Sequence, residues 1–380
     1  MREVRIIAAK RSAIVPRHGA FDGLEAHEIA APVIRDLIAQ GRATGGAHID
    51  AAEIDELILS NALGAGGNPA RVAALAAGLP ERIAGLTLDR QCAGGLDAIR
   101  LGAALIASNM AQVVIAGGAE SYSRRPNRAR RTDMPDGRTS YQPYERPPFA
   151  PWPHADPEMH HAAQTLAHDI SKHDQDDWAI ASHAKARAAA ELMRAEITPI
   201  NGLAHDPFAR ALTPRIALRA PLLCPEFGPS ASVSAANTAV AADGAAFVLM
   251  VAGTHPAARE GVTYLGGATL GGDPGMPGLT PIAAINATLA ASGLRAMDLD
   301  VAEIMEAYAV QAIACVRGAG LDPLITNLGG GALARGHPIG ASGAINAVRL
   351  FSALHHRPRA TGVAAIAAAG GIGTAILLGR

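Results

Sequence analysis

The sequence predicts an α/β protein of two similar halves, each with a buried sheet covered by helices on both faces. Three observations lead there. Strand-like and helix-like stretches alternate with short connections. The order of the first hundred residues is replayed from about Ile282 onward, and a region of different composition, about Ser121 to Ser230, separates the two. A chain of 380 residues has room for two or three domains. Its many alanines, its 41 glycines and its 3% aromatic content suit tightly packed layers of helix on sheet.

In the first half Val4–Ala9 reads as a strand and Leu24–Gln40 as an amphipathic helix, followed by strand Ile54–Ser60 and helix Asn68–Ala77. Leu86–Asp89 leads through Cys92 into helix Leu96–Ser108, and Gln112–Ala116 is the next strand. In the second half, helix Ile282–Ser292 precedes strand Glu303–Met305 and helix Ala309–Ala319. A turn at His337 opens helix Ala341–Leu354, and strands Val363–Ala368 and Thr374–Leu378 close the chain. Gly362 to Gly379 is long and uncharged enough to suggest a membrane span. Gly370-Gly371-Ile372-Gly373 divides it into two strand-length pieces, so paired buried strands are expected instead. The region between the halves is rich in Pro, Arg, His and Asp, and its one long helical pattern runs from Gln175 to Glu196.

A net charge of −1 gives no reason to expect nucleic acid or an anionic membrane as partner. Arg124, Arg125, Arg128, Arg130 and Arg131 form a basic run, readable as a solvated loop or as a contact for ligand phosphates. Cys92, Cys224 and Cys315 lie far apart, with no C-x-x-C pair and no disulfide framework, which fits a reducing cytoplasm. His154, His160 and His161 lie in a loop without a carboxylate framework, so no metal site is expected. The N-terminal stretch Val4–Ala9 is too short and too charged for a signal peptide.

The chemistry concentrates in two glycine-rich turns, Asp89-Arg90-Gln91-Cys92-Ala93-Gly94-Gly95 and Gly336-His337-Pro338-Ile339-Gly340-Ala341-Ser342-Gly343. Each follows a short apolar run and opens a helical pattern, which places Cys92 and His337 at equivalent strand-to-helix turns. A cysteine at a helix N-terminus beside an imidazole is favoured as thiolate, the arrangement of an acyl-transfer nucleophile.

With these turns go Gly117-Gly118-Ala119-Glu120-Ser121, Ser234-Ala235-Ala236-Asn237 through Asp243-Gly244-Ala245-Ala246, Ile304-Met305-Glu306-Ala307-Tyr308-Ala309 and Ala367-Ala368-Ala369-Gly370-Gly371-Ile372-Gly373. In this order and spacing the chain resembles the thiolase family nearly end to end. The matching family segments read G-G-x-E-S-M, T-A-G-N…D-G-A-A, N-E-A-F-A and C-x-G-G-G-Q-G. The resemblance implies two α/β halves whose five-stranded mixed sheets stack in an αβαβα arrangement, with an inserted loop domain. The boundaries it implies are residues 1–120 with 231–254 for the first half, 121–230 for the insert on the coenzyme A side, and 255–380 for the second half. It also implies a homodimer or homotetramer, acyl-coenzyme A thioesters as substrates, coenzyme A as substrate or product, and no tightly bound cofactor.

Residue by residue, the resemblance makes Cys92 the nucleophile and His337 its base, with the backbone amides of Cys92 and Ala369 holding the oxyanion. Glu306 and Gly336 are supporting residues. Met159, His160, Ala239, Ala307 and Tyr308 fall on the substrate and coenzyme A side. Two positions depart from the family: Ala367 stands where a second cysteine moves a proton on the α-carbon, and Met305 where an asparagine stabilises the enolate through a water. Alanine carries no proton, and a thioether has none to donate. A general acid–base group is worth about 10²–10⁴ in rate, and an oxyanion donor about 10²–10³. Carbon–carbon chemistry is therefore expected to be impaired while acyl transfer to Cys92 survives. Cys315, about 13 Å along a helix from Glu306 at 1.5 Å per residue, reads as a core cysteine. Cys224, Glu158 and His160 are substitute candidates, and Met305, Tyr308 and Met159 candidate pocket walls. Three readings stay open: an acyltransferase with an altered Claisen half, a non-catalytic coenzyme A-binding or assembly subunit, alone or joined to a partner chain, and a conventional thiolase with a substitute proton carrier.

Overall fold

The computed structural model describes residues 2–43 and 49–380. β1 (Val4–Ser12) is followed by α1 (Ala26–Ala43), which buries Ile29, Val33, Ile34 and Leu37 as the apolar stripe of an amphipathic helix. Next come β2 (Glu56–Ser60) and α2 (Pro69–Ala76). The Asn68 side chain caps α2 by accepting the Arg71 N–H, and Pro69 occupies its first turn. β3 (Leu86–Leu88), α3 (Gly94–Ala107) and β4 (Val113–Glu120) complete the first alternation.

The insert contributes an exposed hairpin, β5 (Arg128–Asp133) with β6 (Thr139–Tyr144), and helices α4 (Met159–Leu166) and α5 (Lys172–Ala188). The chain then returns through β7 (Ala242–Ala252), β8 (Val262–Gly271), α6 (Thr280–Ser292), β9 (Val301–Ile304), α7 (Ala309–Gly318), the single turn α8 (Ala332–Arg335), α9 (Ile339–His355), β10 (Thr361–Ala368) and β11 (Ile372–Gly379).

Nine strands lie side by side in the order β9-β10-β11-β8-β1-β7-β4-β2-β3. The pairs β2–β3, β2–β4 and β9–β10 are parallel and the others antiparallel. The first half owns five of these strands. The second owns four, and the place of a fifth is taken by an isolated parallel bridge between Ala302 and Thr326. Among the described residues the two sheets meet edge to edge only where Arg5 and Ile6 face Thr263 and Val262. Helices α3 and α9 pack on each other and on strands of both sheets, α1 and α2 cover the outside of the first sheet, and α6 covers the outside of the second. The result is the layered α/β arrangement expected. Among the described residues no helix is long and apolar enough to cross a membrane.

The central layer is close because it is glycine on glycine. A Cβ on Gly95 would lie 2.5 Å from the Ala344 amide nitrogen, and one on Gly343 would lie 2.6 Å from that of Leu96. The insert is pinned to both halves by a buried ion-pair cluster. Glu196 takes Arg11 of β1 at 2.7 Å and Arg349 of α9 at 2.6 Å, and Arg11 also reaches Asp206 at 2.8 Å. Burial pushes the Glu196 carboxyl up, but the two guanidinium groups outweigh it and hold the group down at about 2.

Several expectations need correction. The reading by alternation passed over β7, which lies between β1 and β4 in the first sheet, and β8, which pairs with β1 across the halves. The helical pattern Gln175–Glu196 breaks at Ala189, where α5 ends; a single turn, Ala190–Met193, and a 3₁₀ turn follow. The basic run is partly strand β5, and its side chains are engaged: Arg124 with Glu25, Arg125 with Glu145, Arg131 with Asp133, and Arg128 with the Ala62 carbonyl.

Gly343→Ala drives a methyl group into backbone that has no room to yield. It is expected to lose about 1–3 kcal/mol of stability, read as a lower urea midpoint at unchanged slope. An unchanged midpoint would mean that α3 and α9 can part without loss.

Candidate active site

Cys92 is lifted out of its strand by a strained turn. After β3 the Asp89 carboxylate accepts the Gln91 N–H at 2.8 Å, and Gln91 adopts a left-handed φ of 52°. Residues Gln91–Ala93 form a 3₁₀ turn that runs directly into α3. His337 arrives differently from the strand-to-helix turn expected of it, because α8 and not a strand precedes it. Gly336 makes the bend with φ 113°, where a Cβ would stand 2.7 Å from that of Ala242, and the His337 N–H donates to the Val240 carbonyl at 2.8 Å. Glu120, at the buried end of β4, accepts the Gly340 N–H at 3.0 Å and the Ala62 N–H at 3.1 Å, which braces the start of α9 against the first half. Burial pushes its carboxyl up to about 7, against the pull of those amides.

The two turns bring Cys92 Sγ to 3.1 Å from His337 Nε2. The other ring nitrogen, Nδ1, lies 2.6 Å from Ser342 Oγ, and that hydroxyl donates to the Pro338 carbonyl at 3.0 Å. With its hydrogen committed to Pro338, Ser342 can only accept from Nδ1–H, which leaves the Nε2 lone pair facing the thiol. Ser342 was missed in the sequence. The available signal was a hydroxyl inside the first turn of the helix that follows the histidine.

Burial governs the charge state. It pushes the Cys92 thiol up to about 12, with Glu120 and Asp89 adding to the rise, and lowers His337 to about 4. Both shifts favour a neutral thiol on a neutral imidazole over the thiolate expected from the helix N-terminus, although both residues are only half-buried on the cavity wall.

The pair opens into a cavity of about 290 Å³ that Ala367, Ala369, Met159 and Tyr308 also line. Ala239, Ala307 and Tyr122 line it as well. Ala369 belongs to the three-residue turn between β10 and β11, where Gly370 and Gly371 both have positive φ. Thr238 Oγ1 and Gln311 Nε2, both on residues of the cavity wall, are buried without a hydrogen-bond partner in the protein.

Met305 is elsewhere. It is buried in the central core, its N–H on the Ala365 carbonyl at 3.0 Å, and is absent from the cavity wall. Glu306 is buried too and ties α5 to the loop at Asn327. Its oxygens accept from Trp178 at 3.0 Å, Ser182 at 2.7 Å and Asn327 at 2.8 Å. His160 is absent from the cavity wall, and Glu158 is exposed near Arg146, though its charge reaches the Tyr308 hydroxyl on that wall. Cys315 is fully buried in the outer core of the second half, and Cys224 is buried beside His160.

A family model described as the thiolase N-terminal domain matches residues 4–254, and one described as the thiolase C-terminal domain matches residues 260–380. A Pseudomonas aeruginosa protein named acetyl-CoA acetyltransferase is 37% identical over 417 residues, covering 100% of both chains. A Bacillus subtilis relative is 36% identical over 381 residues, covering 98% of each chain. The crystal structure of the Bacillus anthracis acetyl-CoA acetyltransferase aligns with a TM-score of 0.89 at 29% identity, over 100% of this chain and 99% of its own.

A thiol held up at about 12 has a thiolate fraction that grows tenfold per pH unit across the neutral range, and an imidazole held at about 4 supplies no cation there. Alkylation of Cys92 by iodoacetamide, followed by mass spectrometry, is therefore expected to rise with pH from 6 to 9 without a plateau. A plateau below pH 8 would mean that a thiolate–imidazolium pair exists at rest.

Proposed function

The chain belongs to the thiolase family, and on that premise we propose that it carries acyl groups from coenzyme A thioesters on Cys92, with its carbon–carbon half-reaction impaired at positions 305 and 367. It is an acyltransferase by family. The observation that carries the finer reading is the 3.1 Å approach of Cys92 Sγ to a lone-paired His337 Nε2, in a cavity whose wall has only a methyl group at Ala367.

In the acyl-transfer step the thiol proton moves to Nε2 as Sγ attacks the thioester carbonyl carbon. Proton transfer and attack are coupled because neither group is charged at rest. The carbonyl oxygen becomes an oxyanion, with the N–H groups of Cys92 and Ala369 as its proposed donors. Collapse breaks the carbon–sulfur bond to coenzyme A, whose leaving thiolate takes the proton back from His337, and an acyl-Cys92 thioester remains. The unpartnered Thr238 hydroxyl and Gln311 amide supply two polar contacts for the bound thioester in an otherwise apolar cavity. The second half-reaction requires a base at the α-carbon, and Ala367 cannot be one. Of the hydroxyls on the wall, Tyr308 is pushed above its usual range by burial, which makes it a poor substitute.

The assembled pair weighs against a shell that has lost turnover, since packing alone needs neither the thiol nor the tuned imidazole. The open edge of the first sheet at β3, with Leu86 exposed, supports a homodimer or homotetramer. The free cysteines support a reducing cytoplasm. Coenzyme A enters this reading as substrate or product, with no tightly bound cofactor.

Intact mass after exposure to acetyl- and acetoacetyl-coenzyme A is expected to show one acyl adduct, absent in Cys92→Ala, with little cleavage of acetoacetyl-coenzyme A. Ala367→Cys is expected to raise that cleavage by about 10² or more. Rapid cleavage by the unaltered enzyme would restore the conventional-thiolase reading, and no adduct with any thioester would restore the shell.

A further inference from the structure

We propose that His160, His161 and Cys224 form a binding site for a zinc-class divalent metal beside the substrate cavity. This goes beyond acyl transfer and does not rest on it, and it revises the expectation that the loop histidines bind no metal. The donors come from two elements, the first turn of α4 and the start of the 3₁₀ segment Pro225–Ser230. One ligand atom from each lies within 4.8 Å of the other two. In a tetrahedral zinc site, with bonds of about 2.0–2.3 Å, such atoms stand roughly 3.5 Å apart, so side-chain movements on the order of an ångström would close the set.

Four features set this trio apart from residues that merely meet. Cys224 is fully buried although its neighbours Leu222, Leu223, Pro225 and Glu226 are all exposed, so the segment turns one thiol inward. Its Sγ is 3.4 Å from the His160 carbonyl oxygen, which locks the segment against α4. The imidazoles of His160 and His161 lie with centroids 4.4 Å apart. Finally, His161 Nε2 is 2.8 Å from the Glu226 carboxylate. A carboxylate that takes the Nε2 proton leaves Nδ1 as the lone-paired donor and orients the ring, which is how metal-binding histidines are usually held.

Two imidazoles and a thiolate select zinc or a similar borderline metal over calcium or magnesium. Three protein donors leave a fourth position open to water or ligand. Met159, the residue before the pair, lines the cavity. A bound metal would therefore fix that wall by tying α4 to the Cys224 segment.

The test uses the full-length, untagged protein stripped with a chelator and titrated with Co²⁺. One equivalent is expected to produce visible ligand-field bands with a sulfur-to-cobalt charge-transfer band in the near ultraviolet, both displaced by Zn²⁺. The charge-transfer band should vanish in Cys224→Ser and persist in Cys92→Ser, which separates this site from the catalytic thiol. Zn²⁺ should raise the Tm of the unaltered protein but not that of Cys224→Ser. Glu226→Gln should weaken Zn²⁺ binding by about tenfold or more. If Cys224→Ser does not fold, His161→Ala carries the same test, with circular dichroism as the check of folding. No charge-transfer band at one equivalent, or a band that survives loss of Cys224 or His161, overturns the proposal.

Discussion

The approach of α3 to α9 through Gly95 and Gly343 is the contact on which the catalytic geometry depends. Cys92, the proposed nucleophile, opens one of these helices, and His337, its proposed base, precedes the other. Backbone packed on backbone leaves little freedom for their separation, and with it the Sγ to Nε2 distance. The Glu120 carboxylate adds a second brace from β4 to the start of α9. A displacement of an ångström in such a pair costs on the order of 10² in rate. That is reason enough for an acyl-transfer site to sit on rigid glycine-mediated packing and not on side-chain interdigitation.

Burial then decides the chemistry of the pair. In water a cysteine and a histidine this close share a proton with modest bias. In the cavity both charged forms are penalised, so in the proposed reaction the proton stays on sulfur until a thioester carbonyl is in place to receive the attack. The Ser342 relay holds the imidazole in the tautomer that can take the proton at that moment. The two departures at positions 305 and 367 fit the same dry surroundings. A methionine in the central core and an alanine on the cavity wall leave no polar atom unsatisfied, whereas an asparagine retained without its water partner would be a buried group lacking a hydrogen bond.

Much of this was legible in the sequence because it was local. Cys92 and His337 could be read from glycine-rich turns, since glycines flanking a lone cysteine or histidine mark places where the backbone bends sharply or packs closely. The alternation of apolar runs located the helices that carry them. What stayed hidden was non-local or compositional. β7 is buried along its whole length and carries no polar residue after Asp243, so it shows no alternation, and β8 contains Gly266 and Gly267, which blur its pattern. Met305 sits in a motif that suggests the cavity, yet its side chain lies in the core, since position in a motif does not fix which way a side chain turns. The role of Glu306 is set by Trp178, Ser182 and Asn327, which lie far from it along the chain. Cys224 meets His160 across 64 residues, and the stretch after Glu196 that carries it has no periodicity to follow.

The sharing of the central helix layer bears on how the molecule is made. Each sheet needs both α3 and α9 to cover its inner face, while direct pairing between the sheets is confined to two residues on each side. Neither half is then a self-sufficient folding unit, although each has the strand and helix content of one. During synthesis the segment bearing Cys92 leaves the ribosome long before the one bearing His337. Until α9 docks, the thiol has no base and its surroundings remain wet. The proposed reactivity toward thioesters would thus be withheld from the nascent chain and conferred only when the last quarter of the polypeptide closes over the first.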